Sequence, residues 1–326
     1  MDIYVKKAII HQFSPDDTDL YLADKFLNIT PKIEEYLHKK IERVYSDEAR
    51  TGIFEEDNPF LEMISNDLLE TSVAVANRWK EEFVVSENQK TNDLVFIQFS
   101  KEGVDHFAFL RIALRETLTH LGGEVDNPIK LTQNNLPGFG TGADEALVIN
   151  LQSRKYHLIE KRIKYNGTFL NYFSENLLQA QPKISPKKSI KALEKTAQKI
   201  AESFNTDDFQ FQSKVKSAIF NHIEEENKLS PEKLADDLFD DNLTARLSFI
   251  DQVKEAVPEP VTFEEIDASR QLKKFENQKL SLSNGIELIV PNNVYEDTES
   301  VEFILNENGT YSILIKILRI YRVNND

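Results

Sequence analysis

The pattern of apolar and polar positions predicts a strand-rich first half and a helix-rich second half. Three hairpins are predicted because apolar, β-branched runs flank turn-forming segments: residues 4–13 with 20–26, 94–99 with 104–114, and 146–151 with 156–163. Each hairpin joins neighbouring strands of opposite direction. We therefore expect the chain to begin with an antiparallel sheet.

Helical spacing predicts elements that pack on this sheet. Thr30 and Pro31 suit the N-cap and first position of a helix, and apolar residues then recur every three or four positions. A second helix is predicted over 67–83, with Trp79 on its apolar face and therefore in the core. The spacing over 169–178 also favours a helix.

A polar segment with two prolines, 179–186, marks a domain boundary. Four helices are predicted after it, over 186–204, 208–225, 231–240 and 243–256. Asn284-Gly285 and Asn308-Gly309, each between apolar stretches, predict closing hairpins. The predicted class is α+β, with an N-terminal antiparallel sheet and packed helices, then a helical region and a small C-terminal antiparallel sheet. The predicted domains are an N-terminal α+β domain, 1–180, and a C-terminal helical region ending in β-hairpins, 181–326.

Composition narrows the classes of function. Glycine makes up 10 of 326 residues, which disfavours glycine-rich phosphate-binding folds. The absence of cysteine excludes thiol catalysis and Cys-ligated metals, and it fits a reducing compartment. Because residues 1–7 lack the apolar core of a secretion signal, we expect a cytoplasmic protein. The net charge of −16 repels nucleic acid and anionic membranes, so any contact with DNA must be local.

No set of residues predicts a catalytic or metal site. The six histidines lack the spacing of a zinc motif, and the frequent acidic pairs are typical of solvated helices and loops. Gly138, Gly140 and Gly142 form a glycine-rich loop, but the residues after it read as a strand, so we expect a flexible surface loop rather than a phosphate site. The sequence thus predicts a protein that is not an enzyme and uses no cofactor or metal.

The region 154–199 is basic, although the chain as a whole is acidic. It holds eleven basic and three acidic residues, a net charge of +8, while the rest of the chain carries −24. On the predicted helix 186–204, four of the basic residues share the face opposite the apolar one: Lys188, Lys191, Lys195 and Lys199. Such a face could neutralise phosphates, and five nearby aromatic residues could stack on bases: Tyr156, Tyr165, Phe169, Tyr172 and Phe173. The alternative is a solvated face with the aromatic residues in the core.

The candidate nucleic-acid-binding residues are the basic residues of this region: Arg154, Lys155, Lys161, Arg162, Lys164, Lys187, Lys188, Lys191, Lys195 and Lys199. No motif places base-reading Arg or Asn at known positions. The sequence therefore predicts weak binding without sequence preference.

Three parts of the chain together resemble one known family. The first part is 156–165 (YHLIEKRIKY) with 169–173 (FLNYF). The second is 8–13 (AIIHQF) with 43–46 (RVYS) and 52–54 (GIF), and the third is 285–289 (GIELI) with the Asn308-Gly309 hairpin and a strand over 311–317. In order and spacing these segments are similar to the bacterial nucleoid-associated proteins of about this mass, the NdpA-like family.

The resemblance implies a cytoplasmic protein that associates with the nucleoid and has no established catalytic residues. Two routes to the nucleoid stay open. A local basic face could contact DNA, which we favour, or a DNA-bound protein could recruit a scaffold that never touches DNA. A more distant hypothesis is a metal-dependent nucleic-acid enzyme. The expected partners are DNA, bound non-specifically, and proteins of the nucleoid, without membrane contact, and a homodimer is left open.

Overall fold

The computed structural model describes residues 2–16, 19–84, 86, 90–120, 129–165, 167–204, 209–263, 265–295 and 297–316. The chain forms two compact units, Met1–Ser185 and Pro186–Asp326. None of the helices in these ranges is long and apolar enough to cross a membrane.

The first unit contains eleven described strands and three described α-helices. The strands are β1 (Ile3–Ser14), β2 (Asp19–Tyr21), β3 (Arg50–Ile53), β4 (Asn92–Lys101), β5 (Val104–Ala113), β6 (Arg115–His120), β7 (Ile129–Asn135), β8 (Glu145–Asn150), β9 (Lys155–Ile159), β10 (Ile163–Tyr165) and β11 (Thr168–Leu170). The helices are α1 (Pro31–Val44), α2 (Pro59–Glu62) and α3 (Leu68–Phe83).

Seven of these strands form one antiparallel sheet in the order β2-β1-β4-β5-β8-β9-β3. The three predicted hairpins are confirmed as β1–β2, β4–β5 and β8–β9. In the β4–β5 turn both Glu102 and Gly103 have positive φ, 53° and 80°, as a tight hairpin turn requires. Strand β2 ends at Tyr21, earlier than the sequence predicts.

The sheet is buried on both faces because a helix covers each one. Leu37 and Ile41 of α1 share a core with Ile97 of β4. On the opposite face, Trp79 of α3 packs with Phe96 of β4, and the predicted core position of Trp79 is confirmed. Successive residues of β4 point to opposite faces, so a strand between two helical layers is apolar at nearly every position.

The segment after β9 differs from its predicted helix. Lys164 pairs with Phe169 in the β10–β11 hairpin, whose turn includes Gly167 at φ 81°. A π-helical turn, Phe173–Leu177, follows. The helix prediction over 169–178 was wrong because strand pairing and the π-turn outweigh an apolar spacing that also fits an α-helix.

The second unit is mostly helical, as predicted. Its helices are α4 (Pro186–Ser203), α5 (Phe209–Glu226), α6 (Pro231–Leu238), α7 (Leu243–Lys254), α8 (Glu265–Phe275) and α9 (Asn292–Tyr295). The first five of these helices contribute to one apolar core. Helix α8 was not predicted, because two prolines and an acidic pair before it favour a loop.

Short strands complete the second unit: β12 (Lys228–Leu229), β13 (Val261–Thr262), β14 (Asn277–Ser281), β15 (Glu287–Pro291), β16 (Val301–Leu305) and β17 (Tyr311–Ile315). The predicted closing hairpins are confirmed as β14–β15 and β16–β17, with Gly285 at φ 87° and Gly309 at φ 79°. They form two separate two-stranded sheets rather than one sheet. Residue 317 of the predicted last strand lies outside the described residues. The predicted α+β class is confirmed.

Candidate nucleic-acid interface

Helix α4 separates its lysines from its apolar residues. Its exposed face carries a row of four lysines, here called the lysine stripe: Lys188, Lys191, Lys195 and Lys199. The opposite side is buried in the core of the second unit through Ile190, Leu193, Ala197 and Ile200. At a rise of 1.5 Å per residue the stripe runs along about 16 Å of helix. Four ammonium groups therefore follow one line on the surface.

The neighbours of the stripe include a neutral amide, one carboxylate and one further cation. The Lys199 Nζ donates a hydrogen bond to Oε1 of Gln252 on α7, at 3.1 Å. Because the amide of Gln252 is neutral, this bond does not cancel the positive charge of Lys199. Glu194 lies beside Lys191 and Lys216. Burial raises the pKa of the Glu194 carboxyl, and these two ammonium groups oppose that change. Lys216 of α5 thus lies near Glu194 on the flank of α4, and sequence reasoning missed this pairing because only helix packing brings the two residues together.

The remaining candidate of α4, Lys187, is half-buried next to the stripe. It lies about 100° around the helix from Lys188, at the border between the exposed and buried faces. We therefore count it as a flanking residue rather than as a member of the stripe.

Two candidate cations of the first unit lie at the turn between β8 and β9. Arg154 has φ 60°, and its Nη1 lies 3.0 Å from Oε1 of the exposed Glu56. Lys155 begins β9 and is exposed. An acidic neighbour therefore offsets part of the positive charge at this turn.

Three further candidates lie beyond the other end of β9. The Nζ of Lys161 is 2.8 Å from Oδ1 of Asp144, and Nη2 of Arg162 donates to the main-chain oxygen of Phe169 at 3.3 Å. Lys164 is exposed on β10. The five residues of β9 span about 16 Å, so the structure does not bring these cations together with Arg154 and Lys155.

Most of the aromatic residues considered for stacking belong to the core. Tyr156, Tyr172 and Phe173 are fully buried, so for these three residues the alternative holds and they are core aromatic residues rather than stacking groups. The Tyr172 hydroxyl accepts a hydrogen bond from Nε1 of Trp79 at 3.0 Å. Phe169 is 57% exposed, and the side chain of Tyr165 lies outside the described residues. The described part of the chain thus supports phosphate contact more than base stacking.

A buried ion pair joins β5 to β8 next to these aromatic residues. Nε of Arg111 lies 2.7 Å from Oε2 of Glu145, which also accepts a hydrogen bond from the Tyr172 hydroxyl. Burial raises the pKa of the Glu145 carboxyl, while the guanidinium opposes that change. Nη1 of Arg111 donates to Oδ1 of Asn92 at 2.9 Å. Because Arg111 is buried and bonds to this carboxylate and this amide, its guanidinium is not placed to bind a phosphate.

The glycine-rich loop binds a lysine of its own chain. Lys40 of α1 is fully buried, and its Nζ donates to the main-chain oxygens of Pro137, Gly138 and Thr141. Burial lowers the pKa of Lys40 to about 8. Strand β8 follows the loop, as predicted, so the loop does not precede a helix as a dinucleotide fingerprint requires.

Other sites offer less to a polyanion. A groove of about 540 Å³ is lined by Arg78, Glu82, Glu175, Asn176 and Gln179, among others, and Arg78 already pairs with Glu82 at 2.8 Å. Its carboxylates outnumber its single guanidinium, so phosphate is disfavoured there. Within the described residues there is no cluster of three or more His, Asp or Glu side chains arranged for a metal ion.

Comparison with known proteins adds one finding to this geometry. A family model described as NA37, nucleoid-associated protein YejK, matches residues 9–320. No curated protein matches the chain.

Proposed function

Because the chain belongs to the family described as nucleoid-associated protein YejK, we propose that it reaches the nucleoid by contacting DNA through the lysine stripe. The resemblance drawn from the sequence is confirmed at the level of this family. Contact with DNA is the step that we add, together with the expectation that binding is weak and independent of sequence.

The stripe carries this proposal. Phosphates along one strand of B-DNA recur about every 3.4 Å, so a 16 Å row of ammonium groups is comparable in length to about five base pairs. The chain carries −16 overall, and such a charge opposes approach to DNA. A local row of positive charge that faces solvent lets phosphates bind despite that net charge.

The chemistry of the stripe argues against sequence readout. Lysine offers a compact charge on a flexible stem, whereas base recognition in the major groove uses bidentate Arg, Asn or Gln. All four residues of the stripe are lysines. Contacts of this type fix the protein to the backbone without distinguishing base pairs.

The basic residues of the first unit have a secondary role in this proposal. Glu56 and Asp144 lie within ion-pair distance of Arg154 and Lys161, and such partners reduce the local potential. We expect their loss to weaken binding less than loss of the stripe.

A second candidate function is a scaffold that a DNA-bound protein recruits. It is favoured by the −24 carried by the chain outside the region 154–199. In either case we propose a cytoplasmic, non-enzymatic protein. The two candidates differ in one measurable respect, because a recruited scaffold does not need the stripe.

The test changes Lys188, Lys191, Lys195 and Lys199 to Gln and measures affinity for duplex DNA by fluorescence anisotropy over a range of salt concentrations. We expect weaker binding to every sequence and a log K against log salt slope that flattens by up to about 0.9 per lost contact.

The control makes the same charge change at four exposed lysines elsewhere in the second unit: Lys228, Lys233, Lys254 and Lys279. It should bind nearly as the unaltered protein does. If the stripe variant stays folded and keeps both affinity and slope, DNA contact through the stripe is wrong and the recruited scaffold is favoured. A site-specific footprint at nanomolar protein would contradict sequence-independent binding.

A further inference from the structure

The glycine-rich loop between β7 and β8, residues 136–144, is anchored by the buried side chain of Lys40 on α1. The Lys40 Nζ donates hydrogen bonds to the main-chain oxygens of Pro137 and Gly138, at 3.4 Å and 2.9 Å. It also donates to the main-chain oxygen of Thr141. Three N–H groups thus meet three carbonyl groups, and every donor of the ammonium group is used.

Aromatic side chains of α1 and the loop add to this anchor. The Tyr36 hydroxyl donates to the main-chain oxygen of Pro137 at 3.0 Å, and its ring packs edge-on against Phe139 with ring centroids 5.4 Å apart. The ammonium group of Lys40 lies 4.4 Å from the centroid of the Tyr36 ring. Two residues one turn apart on α1 therefore contact the same loop.

The glycines of the loop do not fix its conformation. None of Gly138, Gly140 and Gly142 has a positive φ. A Cβ atom would meet nothing within 4 Å at Gly138 or Gly140, and at Gly142 it would make only an ordinary contact with Arg43 at 3.7 Å. Glycine therefore only raises the entropy that must be overcome to order the loop. The order of the loop depends on the contacts that α1 makes with it.

The surroundings of Lys40 oppose its charge. Burial, Arg43 and Arg115 lower the pKa of Lys40 to about 8, and Asp144 opposes this change. The side chain is therefore still charged at neutral pH, but the cost of removing an ammonium group from water offsets part of the gain from its three hydrogen bonds. The closed loop is held by the difference between these two terms, as a releasable contact requires.

The same loop joins the β6–β7 hairpin to the sheet. Within the described residues the two strands pair only with each other, and their side chains are exposed or half-buried. Strand β7 runs directly into the loop. At the other end of the loop, Asp144 Oδ2 accepts a hydrogen bond from the main-chain N–H of Ala113, two residues before β6, at 2.9 Å. Both ends of the hairpin thus depend on the position of the loop.

We propose that Lys40 is a latch whose ammonium group holds the loop closed on α1. Release of this group frees the loop and the β6–β7 hairpin together and leaves the seven-stranded sheet folded. The proposal does not rest on DNA binding, so each can fail without the other.

Hydrogen exchange measured by mass spectrometry tests the latch in Lys40→Met, which nearly keeps the length of the side chain and removes its charge and its donors. We expect the amides of 115–120 and 129–144 to exchange at least roughly tenfold faster, because three carbonyl groups lose a charged donor. The amides of β4, β5 and the second unit should keep their rates.

The matched control is Lys39→Met, which changes the exposed neighbouring lysine of α1 and should leave all of these rates unchanged. Unchanged exchange of 129–144 in Lys40→Met, or an equal rise over the whole sheet, would overturn the proposal, since Lys40 would then be either dispensable or a general core residue.

Chemical rescue separates the ammonium group from the rest of the side chain. Lys40→Ala lacks three methylene groups and the amine, and n-propylammonium supplies these atoms. We expect n-propylammonium to slow the exchange of 129–144 in Lys40→Ala, whereas tetramethylammonium, which carries a charge without an N–H donor, should not. If neither cation or both cations slowed the exchange, hydrogen bonding by the ammonium group would not hold the loop.

Tyr36→Phe keeps the proposal testable even if neither Lys40 variant folds. It keeps the ring and removes one of the two donors to the main-chain oxygen of Pro137. Exchange of 129–144 should rise severalfold, less than in Lys40→Met, with the rest of the sheet unchanged. An unchanged rate in this segment would contradict an anchor on α1.

Discussion

At the residue scale, His11 of β1 shows how burial sets a protonation state. The side chain has no exposed surface, and its Nδ1 accepts a hydrogen bond from the main-chain N–H of Ala23 at 3.0 Å. The proton of the neutral ring is therefore on Nε2, which donates to the Ser72 hydroxyl at 2.9 Å. Burial lowers the pKa of His11 to about 4. The histidine is a neutral core residue rather than a metal ligand.

This lowered pKa predicts a loss of stability in acid. The unfolded chain binds a proton to His11 near pH 6.5, whereas the folded chain resists protonation down to about pH 4. The free energy of unfolding should therefore fall as pH decreases from 6.5 towards 4, by roughly 2 to 3 kcal/mol from this group.

Urea unfolding of the unaltered protein and of His11→Asn at pH 7 and pH 4.5 measures this contribution. Asn can keep the acceptor for Ala23 without titrating. The variant should lose less stability than the unaltered protein between the two pH values. An equal loss would show that His11 does not carry this pH dependence.

At the element scale, one face of α4 packs in the core and the opposite face carries the lysines of the proposed binding site. Leu193 is fully buried among the helices of the second unit, while Lys195, two residues later, is exposed. Two residues along a helix turn the side chain by about 200°, so the two positions lie on opposite sides. A substitution at Leu193 should therefore change stability with little effect on DNA binding, and a substitution at Lys195 should do the reverse.

The paired substitutions Leu193→Ala and Lys195→Ala test this separation. Leu193→Ala opens a cavity and should lower the free energy of unfolding of the second unit by about 2–5 kcal/mol, with little change in DNA affinity for the folded protein. Lys195→Ala should change stability by less than about 0.5 kcal/mol and weaken DNA binding at low salt. Chemical unfolding and anisotropy titrations measure both properties. If Leu193→Ala weakened binding as much as Lys195→Ala did, the two faces would not be independent.

At the scale of the whole molecule, net charge and local charge have opposite effects on the approach to DNA. The family is nucleoid-associated, yet the chain carries −16 and a surplus of positive charge is concentrated in the region 154–199. Long-range attraction to DNA is therefore weak, and the DNA contact that we propose depends on short-range phosphate neutralisation. Binding of this kind is sensitive to salt and to the position of a few lysines.

The location of the protein in cells provides a test at this scale. A fluorescent fusion of the unaltered chain should overlap with stained DNA, and the variant with Gln at the four positions of the lysine stripe should lose that overlap. The control with Gln at Lys228, Lys233, Lys254 and Lys279 should still overlap with DNA. If the stripe variant kept full overlap at equal abundance, a protein partner would hold the chain at the nucleoid.

Features with a local physical cause were predictable from the sequence. The hairpins at Gly285 and Gly309 follow from a turn that needs positive φ, and α1 begins at Pro31 because Thr30 caps it. The two faces of α4 follow from the helical period. Each signal lies within a few residues, so the turn or the helix selects the same geometry whatever surrounds it. The family was also recognisable from the sequence, because the resemblance depends on short segments and on their order along the chain, and both can be read without the fold.

Features that depend on distant segments were settled by the tertiary structure. Tyr172 is in the core because the sheet and α3 cover it, whereas the sequence left both a core position and base stacking open. Lys40 meets the carbonyl groups around Gly138 only because α1 folds against that loop, and Lys216 comes near Glu194 of α4 only because α5 packs beside α4. The residue type and its position in a helix or strand pattern determine which chemical groups the chain carries and on which face of an element they lie. Long-range packing decides which of them meet, because burial and Coulomb interactions depend on distance in space rather than on separation along the chain.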